Sequence, residues 1–185
     1  MNPLWSYLWP LLAAGLFIGA LAGSIAFRRT GAQTDGGPAD DRPTDKRPRR
    51  KLWIALAAGA VASLAATGLW YGPMGASALF TSRVERAARI TLDNYEMPRI
   101  ASHLYRTPLS RRLILSGEAD DFQRSELARI LGTIPGIREV RWSSKGGGLP
   151  LIAESALVAL LGFLLGLLLA YLFELRRRYN AQWNW

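Results

Sequence analysis

Three long apolar stretches dominate the pattern of hydrophobic and polar positions along the chain. They run from Pro3 to Phe27, from Leu52 to Tyr71 and from Leu149 to Phe173. Each has about the 20 residues that a helix needs to cross the hydrocarbon layer of a bilayer. Arg28 is the first charged residue of the chain, and Glu154 is the one charge within the third stretch. The pattern predicts three transmembrane helices.

A cleaved signal peptide is the alternative for the first stretch. Signal peptides start with a positively charged segment and have a shorter apolar core. Here only Met1 and Asn2 precede the apolar run, and the first arginine follows it. We therefore expect an uncleaved helix.

Residues 81–148 contain shorter runs of apolar residues that alternate with polar ones, a pattern typical of a water-soluble fold. Ser82 and Glu85 have the spacing of a capping box, which predicts a helix over about 83–95. Alternating positions on both sides of Thr107-Pro108 predict a β-hairpin. The first half of this segment therefore contains one helix and two strands.

A second helix and a third strand follow the hairpin. Asp120 or Asp121 is placed to cap this helix. Its apolar stripe has the spacing of one helix face and consists of Leu127, Ile130, Leu131 and Ile134. Pro135-Gly136 ends the helix, and Val140 and Trp142 share one face of the last strand.

The predicted fold class is a membrane α-helical protein with a small α+β domain, of order α-β-β-α-β, inserted between the second and third helices. The domain boundaries are 1–27 for the first transmembrane helix, 28–51 for a disordered cytoplasmic linker, 52–80 for the second helix and a connector, 81–148 for the α+β domain, 149–175 for the third helix and 176–185 for a basic, aromatic tail. At this size the core of the inserted domain is marginal alone.

The net charge of +9 is explained by where the basic residues lie relative to the apolar stretches. They cluster between the first two apolar stretches and after the third, as cytoplasmic retention of Lys and Arg produces. We expect the N-terminus and residues 81–148 on the outer side of the membrane, and the first loop and the C-terminus in the cytoplasm. Membrane lipids are the expected partners of the basic clusters, and nucleic acid is not.

Small residues recur every fourth position in all three apolar stretches. Such stripes allow helix backbones to approach closely. They predict helix packing, either within the chain, in a homo-oligomer or with another membrane protein. The residues assigned to packing are Gly15, Gly19, Gly23, Gly59, Ser63, Gly162 and Gly166.

Candidate catalytic chemistry is sparse in the sequence. There is no cysteine, which excludes disulfides and thiolate zinc sites, and His103 is the one histidine. An acidic residue within a membrane segment suggests a function by default. Glu154, however, lies near the outer end of its helix, where it can reach the interface or pair with a basic residue. Titratable residues do not converge at a recognisable spacing, so we expect no enzyme, no cofactor and no metal.

The inserted domain resembles a BON domain, a small module of bacterial envelope proteins, and its motifs lie between Leu115 and Val140. The resemblance rests on Leu115-Ser116-Gly117, the capped helix and Ile134-Pro135-Gly136-Ile137, and it covers about 60 of the 185 residues. It implies binding of phospholipid or envelope components, without chemistry. The chain is similar to the anchor and BON portion of OmpA-like proteins without their peptidoglycan-binding domain.

Two hypotheses follow. In the first, the BON-like module contacts phospholipid, the cell wall or an envelope protein and serves envelope integrity or scaffolding. The candidate contacts are basic residues expected to be exposed and one tryptophan, namely Arg106, Arg111, Arg112, Arg138, Arg141 and Trp142. In the second, the chain is an accessory or assembly subunit of a larger membrane complex, joined to it through the glycine stripes.

Overall fold

The computed structural model describes residues 2–27, 47–142 and 149–181. The three long helices are α1 (Pro3–Phe27), α2 (Arg47–Tyr71) and α5 (Leu151–Ala181). Their apolar spans cover Pro3–Phe27, Leu52–Tyr71 and Leu151–Arg177, each long and apolar enough to cross a membrane. The prediction of three such helices is confirmed, and the chain fits a membrane protein.

Two of these helices extend beyond their apolar spans. Helix α2 begins at Arg47, inside the segment predicted as linker, and the rest of that linker, 28–46, lies outside the described residues. Pro48 is tolerated there because the first turn of a helix needs no backbone donor. Helix α5 continues to Ala181 through residues assigned to the tail. Arg and Lys are good helix formers, so a helix does not have to end where its apolar span ends.

Helix α3 (Ala76–Asn94) starts earlier than the sequence predicts. Its N-cap is Gly75, at a φ of 69°, and the predicted capping box is wrong. Ser82 lies inside the helix and donates to the carbonyl oxygen of Leu79, while Glu85 reaches the backbone of a neighbouring strand. A capping pattern is a local signal, and it also occurs inside longer helices whose buried face includes earlier residues.

The sheet has three strands in the order β1-β2-β3. Strands β1 (Ala101–Arg106) and β2 (Leu109–Ser116) form the predicted antiparallel hairpin around a cis Thr107-Pro108 peptide bond. Strand β3 (Glu139–Arg141) pairs with β2 in parallel. It ends before Trp142, so the prediction of Trp142 as a strand residue is wrong. The central position of β2 explains why four consecutive residues, 112–115, are buried instead of alternating.

Helix α4 (Asp121–Gly132) agrees closely with its predicted start. The Asp120 carboxylate accepts from the backbone N–H of Gln123 at 2.6 Å, and the Gln123 side chain returns a bond to the Asp120 backbone. This reciprocal pair satisfies two N–H groups that a helix start leaves open. Leu127 and Leu131 are buried, as their spacing predicts.

Two compact units divide the chain. The first comprises residues 1–11 and 67–157, and the second comprises 12–66 and 158–185. The core of the first unit includes side chains outside the predicted domain 81–148, among them Tyr7, Phe80 and Leu151. The inserted α+β module therefore completes its core with the ends of α1 and α5 and the start of α3. This addition supplies the apolar burial that so short a segment lacks alone.

Candidate functional site

A polar groove lies beside the start of α5, within the first unit. It encloses about 450 Å³ and is lined by Ser110, Arg111, Arg112, Arg138, Glu139 and Leu149. Strand β2 supplies three consecutive lining residues, Arg138 lies immediately before β3, and Glu139 is the first residue of β3. The backbone N–H of Arg138 donates to the carbonyl oxygen of Arg111 at 2.8 Å, which brings the two segments together.

Glu154, in the first turn of α5, is an acidic residue that pairs with two of the arginines lining this groove. Its Oε2 accepts from Arg111 Nη1 at 3.2 Å, and its Oε1 accepts from Arg138 Nη1 at 3.3 Å. Arg111 also donates through Nε to the carbonyl oxygen of Gly136 at 3.1 Å. The expectation that Glu154 pairs with a basic residue of the module is confirmed. One carboxylate thus connects β2 and the turn after α4 to the start of an apolar helix.

Glu139 is the second acidic centre, and it too bridges two arginines. Arg112 Nη2 lies 2.8 Å from its Oε2, and Arg141 Nη2 lies 2.5 Å from its Oε1. Hydrogen bonds from Arg141 and Arg112, in that order of importance, lower the pKa of the Glu139 carboxyl group. Because the charged carboxylate is the form that these donors prefer, protonation of Glu139 requires a lower pH than protonation of an ordinary glutamate.

The expectation that all candidate arginines are exposed is wrong for two of them. Arg112 is only 9% exposed, and the Arg111 side chain is 19% exposed. Both lie on the central strand β2, which is covered on both faces. The Arg138 and Arg141 side chains, at 57% and 60%, do face solvent.

The remaining two candidates lie elsewhere. Arg106 pairs with Glu85 at 3.3 Å and lines a separate depression with residues of α3. Trp142 donates through Nε1 to the carbonyl oxygen of Arg124 at 3.1 Å, and the Arg124 guanidinium lies 5.5 Å from its ring centroid. The predicted set is therefore divided: Arg111, Arg112 and Arg138 meet in one groove, whereas Arg106, Arg141 and Trp142 do not line it.

Ser110 is a lining residue that sequence reasoning missed. It is 1% exposed, and its hydroxyl has no hydrogen-bond partner in the part of the chain that the structure describes. A buried hydroxyl without a partner costs about 1–3 kcal/mol. The sequence carries no signal for it, because a serine on a strand shows neither its burial nor its partners.

The glycine stripes meet within the second unit. A Cβ atom on Gly15 or Gly19 would collide with the backbone of α5, at Ala159 and Phe163 respectively. The same holds in reverse for Gly162 and Gly166, which face the backbone of α1 at Leu12 and Leu16. The absence of side chains at these positions allows the two helices to touch through their backbones.

The other predicted packing residues behave similarly. A Cβ on Gly23 would lie 2.6 Å from the Ala170 Cβ, and one on Gly59 would lie 2.7 Å from the Phe163 ring. Ser63 is buried and donates to the carbonyl oxygen of Gly59 at 3.0 Å. The stripes are thus occupied by the chain's own helices.

Comparison of the chain with protein-family models, with curated proteins and with solved structures finds no match. Inference about function therefore rests on the geometry of the chain itself. His103 is exposed on β1, and the described residues contain no group of three His, Cys, Asp or Glu side chains that could hold a metal ion. The polar groove lined by Arg111, Arg112 and Arg138, called the arginine groove below, combines residues of β2 and β3 with residues that precede β3 and α5.

Proposed function

We propose that this protein is a membrane-anchored binding module without enzymatic activity. Its α+β module, which we take to be BON-like, contacts phospholipid, cell-wall or envelope protein partners and has a scaffolding or envelope-integrity role. The order helix, strand, strand, helix, strand supports this proposal. So does the fusion of the module's core with the ends of apolar helices, because such a module cannot leave the membrane surface.

The observation that carries the proposal is the position of the arginine groove. Leu149 lines the groove, and Glu154 pairs with two of its arginines, Arg111 and Arg138. Glu154 belongs to the first turn of α5, a helix long and apolar enough to span a bilayer. If α5 spans the membrane, the groove lies at the level of the lipid headgroups. Guanidinium groups at that level attract anionic groups, each contributing about 1 kcal/mol near a charged membrane surface.

The proposed orientation places the module in the periplasm and the C-terminus in the cytoplasm of a bacterial inner membrane. Because the chain has no cysteine, a single introduced cysteine reports its own side of the membrane. We expect Tyr95→Cys, at a site 52% exposed on the module, to react with a membrane-impermeant maleimide in intact spheroplasts. Arg176→Cys, beyond the predicted inner end of the third helix, is the matched control and should react only after permeabilisation. The reverse pattern would overturn the orientation.

Binding is tested in cells with a photo-crosslinking amino acid in place of Arg141, whose side chain is 60% exposed next to the groove. We expect adducts with lipid, cell-wall material or one envelope protein. The control position is Asn94, exposed at the end of α3. Identical adducts from both positions, or none from either, would contradict a specific binding surface on this face.

The alternative, an accessory or assembly subunit of a larger membrane complex, was motivated by the glycine stripes. Gly15, Gly19, Gly162 and Gly166 already face the backbone of a helix of the same chain. We therefore do not assign the stripes to docking with another protein.

A further inference from the structure

The groove beside α5 contains a polar group that its own fold does not satisfy. Ser110 lies on the same strand as Arg111 and Arg112, lines the groove and is 1% exposed. Its hydroxyl has no partner among the described residues. Buried polar groups are nearly always hydrogen-bonded, so a hydroxyl without a partner among the described residues is available to a bound ligand.

The charge of the surrounding residues identifies the sign of that partner. The lining contains Arg111, Arg112 and Arg138 against the single acid Glu139, and Glu154 lies just outside it. Arg138 contacts Glu154 through Nη1 alone, and its side chain remains 57% exposed. A guanidinium group carries five N–H donors, so one contact leaves Arg138 able to donate to a second anion.

We propose that the groove is a subsite for a phosphate group, with the Ser110 hydroxyl and the Arg138 guanidinium as donors and Arg111 and Arg112 as supporting positive charge. This inference rests on the proposed function and specifies its ligand. A phosphate offers several charged oxygens to donors that approach from different directions, which suits one hydroxyl and a planar guanidinium. A hydrogen bond to a charged acceptor also compensates best for the burial of a hydroxyl.

A lipid headgroup is the favoured source of this phosphate over a free phosphate ion. Leu149, 56% exposed, lines the same groove immediately before the apolar span of α5. A ligand with its phosphate on Ser110 and its apolar part along α5 satisfies both features. A soluble phosphate would leave Leu149 and the adjacent apolar surface without a role.

The test uses the full chain purified in mild detergent, with bound lipids counted by native mass spectrometry. Dioleoyl phosphatidylglycerol, dioleoyl phosphatidylcholine and inorganic phosphate are the three probes. We expect retention of one phosphatidylglycerol per chain, with weaker retention of phosphatidylcholine and no competition by millimolar phosphate. Ser110→Ala and Arg138→Gln should each weaken phosphatidylglycerol binding by about 10-fold, the value of one charge-assisted hydrogen bond.

Matched controls separate the site from general charge and from folding. Ser116→Ala changes an exposed serine of the same strand, and Arg99→Gln removes an equal charge from an exposed position away from the groove. Both should bind phosphatidylglycerol as the unmodified chain does. Ser110→Ala should also leave the thermal midpoint unchanged or raised, because its hydroxyl has no partner to lose.

The outcomes are distinct. Equal phosphatidylglycerol binding by Ser110→Ala, Arg138→Gln and the unmodified chain would overturn the subsite. Competition by free phosphate, abolished by Ser110→Ala, would keep the phosphate chemistry and overturn the lipid source. If the variants show no effect on phosphatidylglycerol binding but position 141 still gives specific adducts, the subsite is wrong and the proposed binding function stands. If position 141 also gives no adducts, the proposed binding function is wrong as well.

Discussion

The two compact units of this chain achieve close packing by opposite means. The first fills its interior with large side chains such as Phe80, Leu113 and Leu131, each 2% exposed or less, and surrounds them with arginine–glutamate pairs. The second removes side chains at its closest contacts, so that Gly19 and Gly162 bring backbone against backbone. In water, burial of apolar area drives packing, whereas between apolar helices in lipid that gain is absent and close contact has to replace it.

The comparison implies that adding atoms harms the second unit most. We expect Gly19→Val to lower the free energy of unfolding by about 3 kcal/mol or more, because the new side chain meets the backbone of Phe163, which has little room to yield. Gly68→Val is the control, since a Cβ built there has no described residue outside its own stretch of helix within 4 Å. Thermal unfolding of the purified full chain in detergent measures both. Equal midpoints for the two variants would contradict packing by backbone contact.

Removing atoms, by contrast, should harm the first unit. Leu151→Ala is expected to cost about 2–5 kcal/mol, because Leu151 is fully buried in the core of the α+β module although it belongs to α5. Its neighbour Ile152, 40% exposed, supplies the control Ile152→Ala. Hydrogen exchange of the β2 amides reports the stability of the module itself. Unchanged protection of β2 in Leu151→Ala would show that the module does not depend on the helix.

The paired carboxylates of the first unit should contribute less than its apolar core. Glu154→Gln is expected to cost about 1–2 kcal/mol, because Arg111, whose side chain is only 19% exposed, loses its charged partner. Glu126→Gln breaks an exposed pair with Arg129 on α4, for which we expect no measurable cost. Denaturant unfolding measures the loss in free energy of unfolding for both variants. A larger loss in Glu126→Gln than in Glu154→Gln would contradict the prediction.

The smallest effect is a pH dependence of the first unit. The pKa of the Glu139 carboxyl group is lower in the folded protein than its unfolded value of about 4.5. Glu139 therefore contributes stability at pH values above 4.5, and this contribution is lost as the pH falls through the lower folded pKa. The side chain is 35% exposed, which limits the contribution to less than about 1 kcal/mol. Glu139→Gln should flatten the dependence of the unfolding midpoint on pH below 4.5 and have little further pH effect near pH 7. An unchanged acid slope in this variant would contradict the assignment.

Local periodicity explains the parts of the fold that the sequence predicts well. The three apolar spans, the stripe of Leu127 and Leu131 and the cap at Asp120 each depend on neighbours within one or two turns of helix. The start of α3 was predicted wrongly at Ser82 because a matching cap pattern also lies inside a longer helix. Only the burial of Ala76 and Phe80 against the module decides that this helix begins at Ala76.

The groove shows the same division for the candidate site. The sequence predicts Arg111, Arg112 and Arg138 as candidate contacts, and it predicts that Glu154 can pair with a basic residue. Their meeting around one groove required β2 to be the central strand, paired with β3 in parallel across the whole of α4. Strand order depends on contacts between residues far apart in the chain, which no short pattern encodes.

By itself, therefore, the sequence determined which segments are apolar enough for a membrane, where backbones can touch and which side chains carry positive charge, since each of these properties belongs to a residue and its near neighbours. Only the tertiary structure decided that Tyr7 and Leu151 complete the module's core, that Arg112 is buried and that the Ser110 hydroxyl has no partner among the described residues. Burial and hydrogen bonding belong to pairs of distant residues, and they exist only once the chain has brought those residues together.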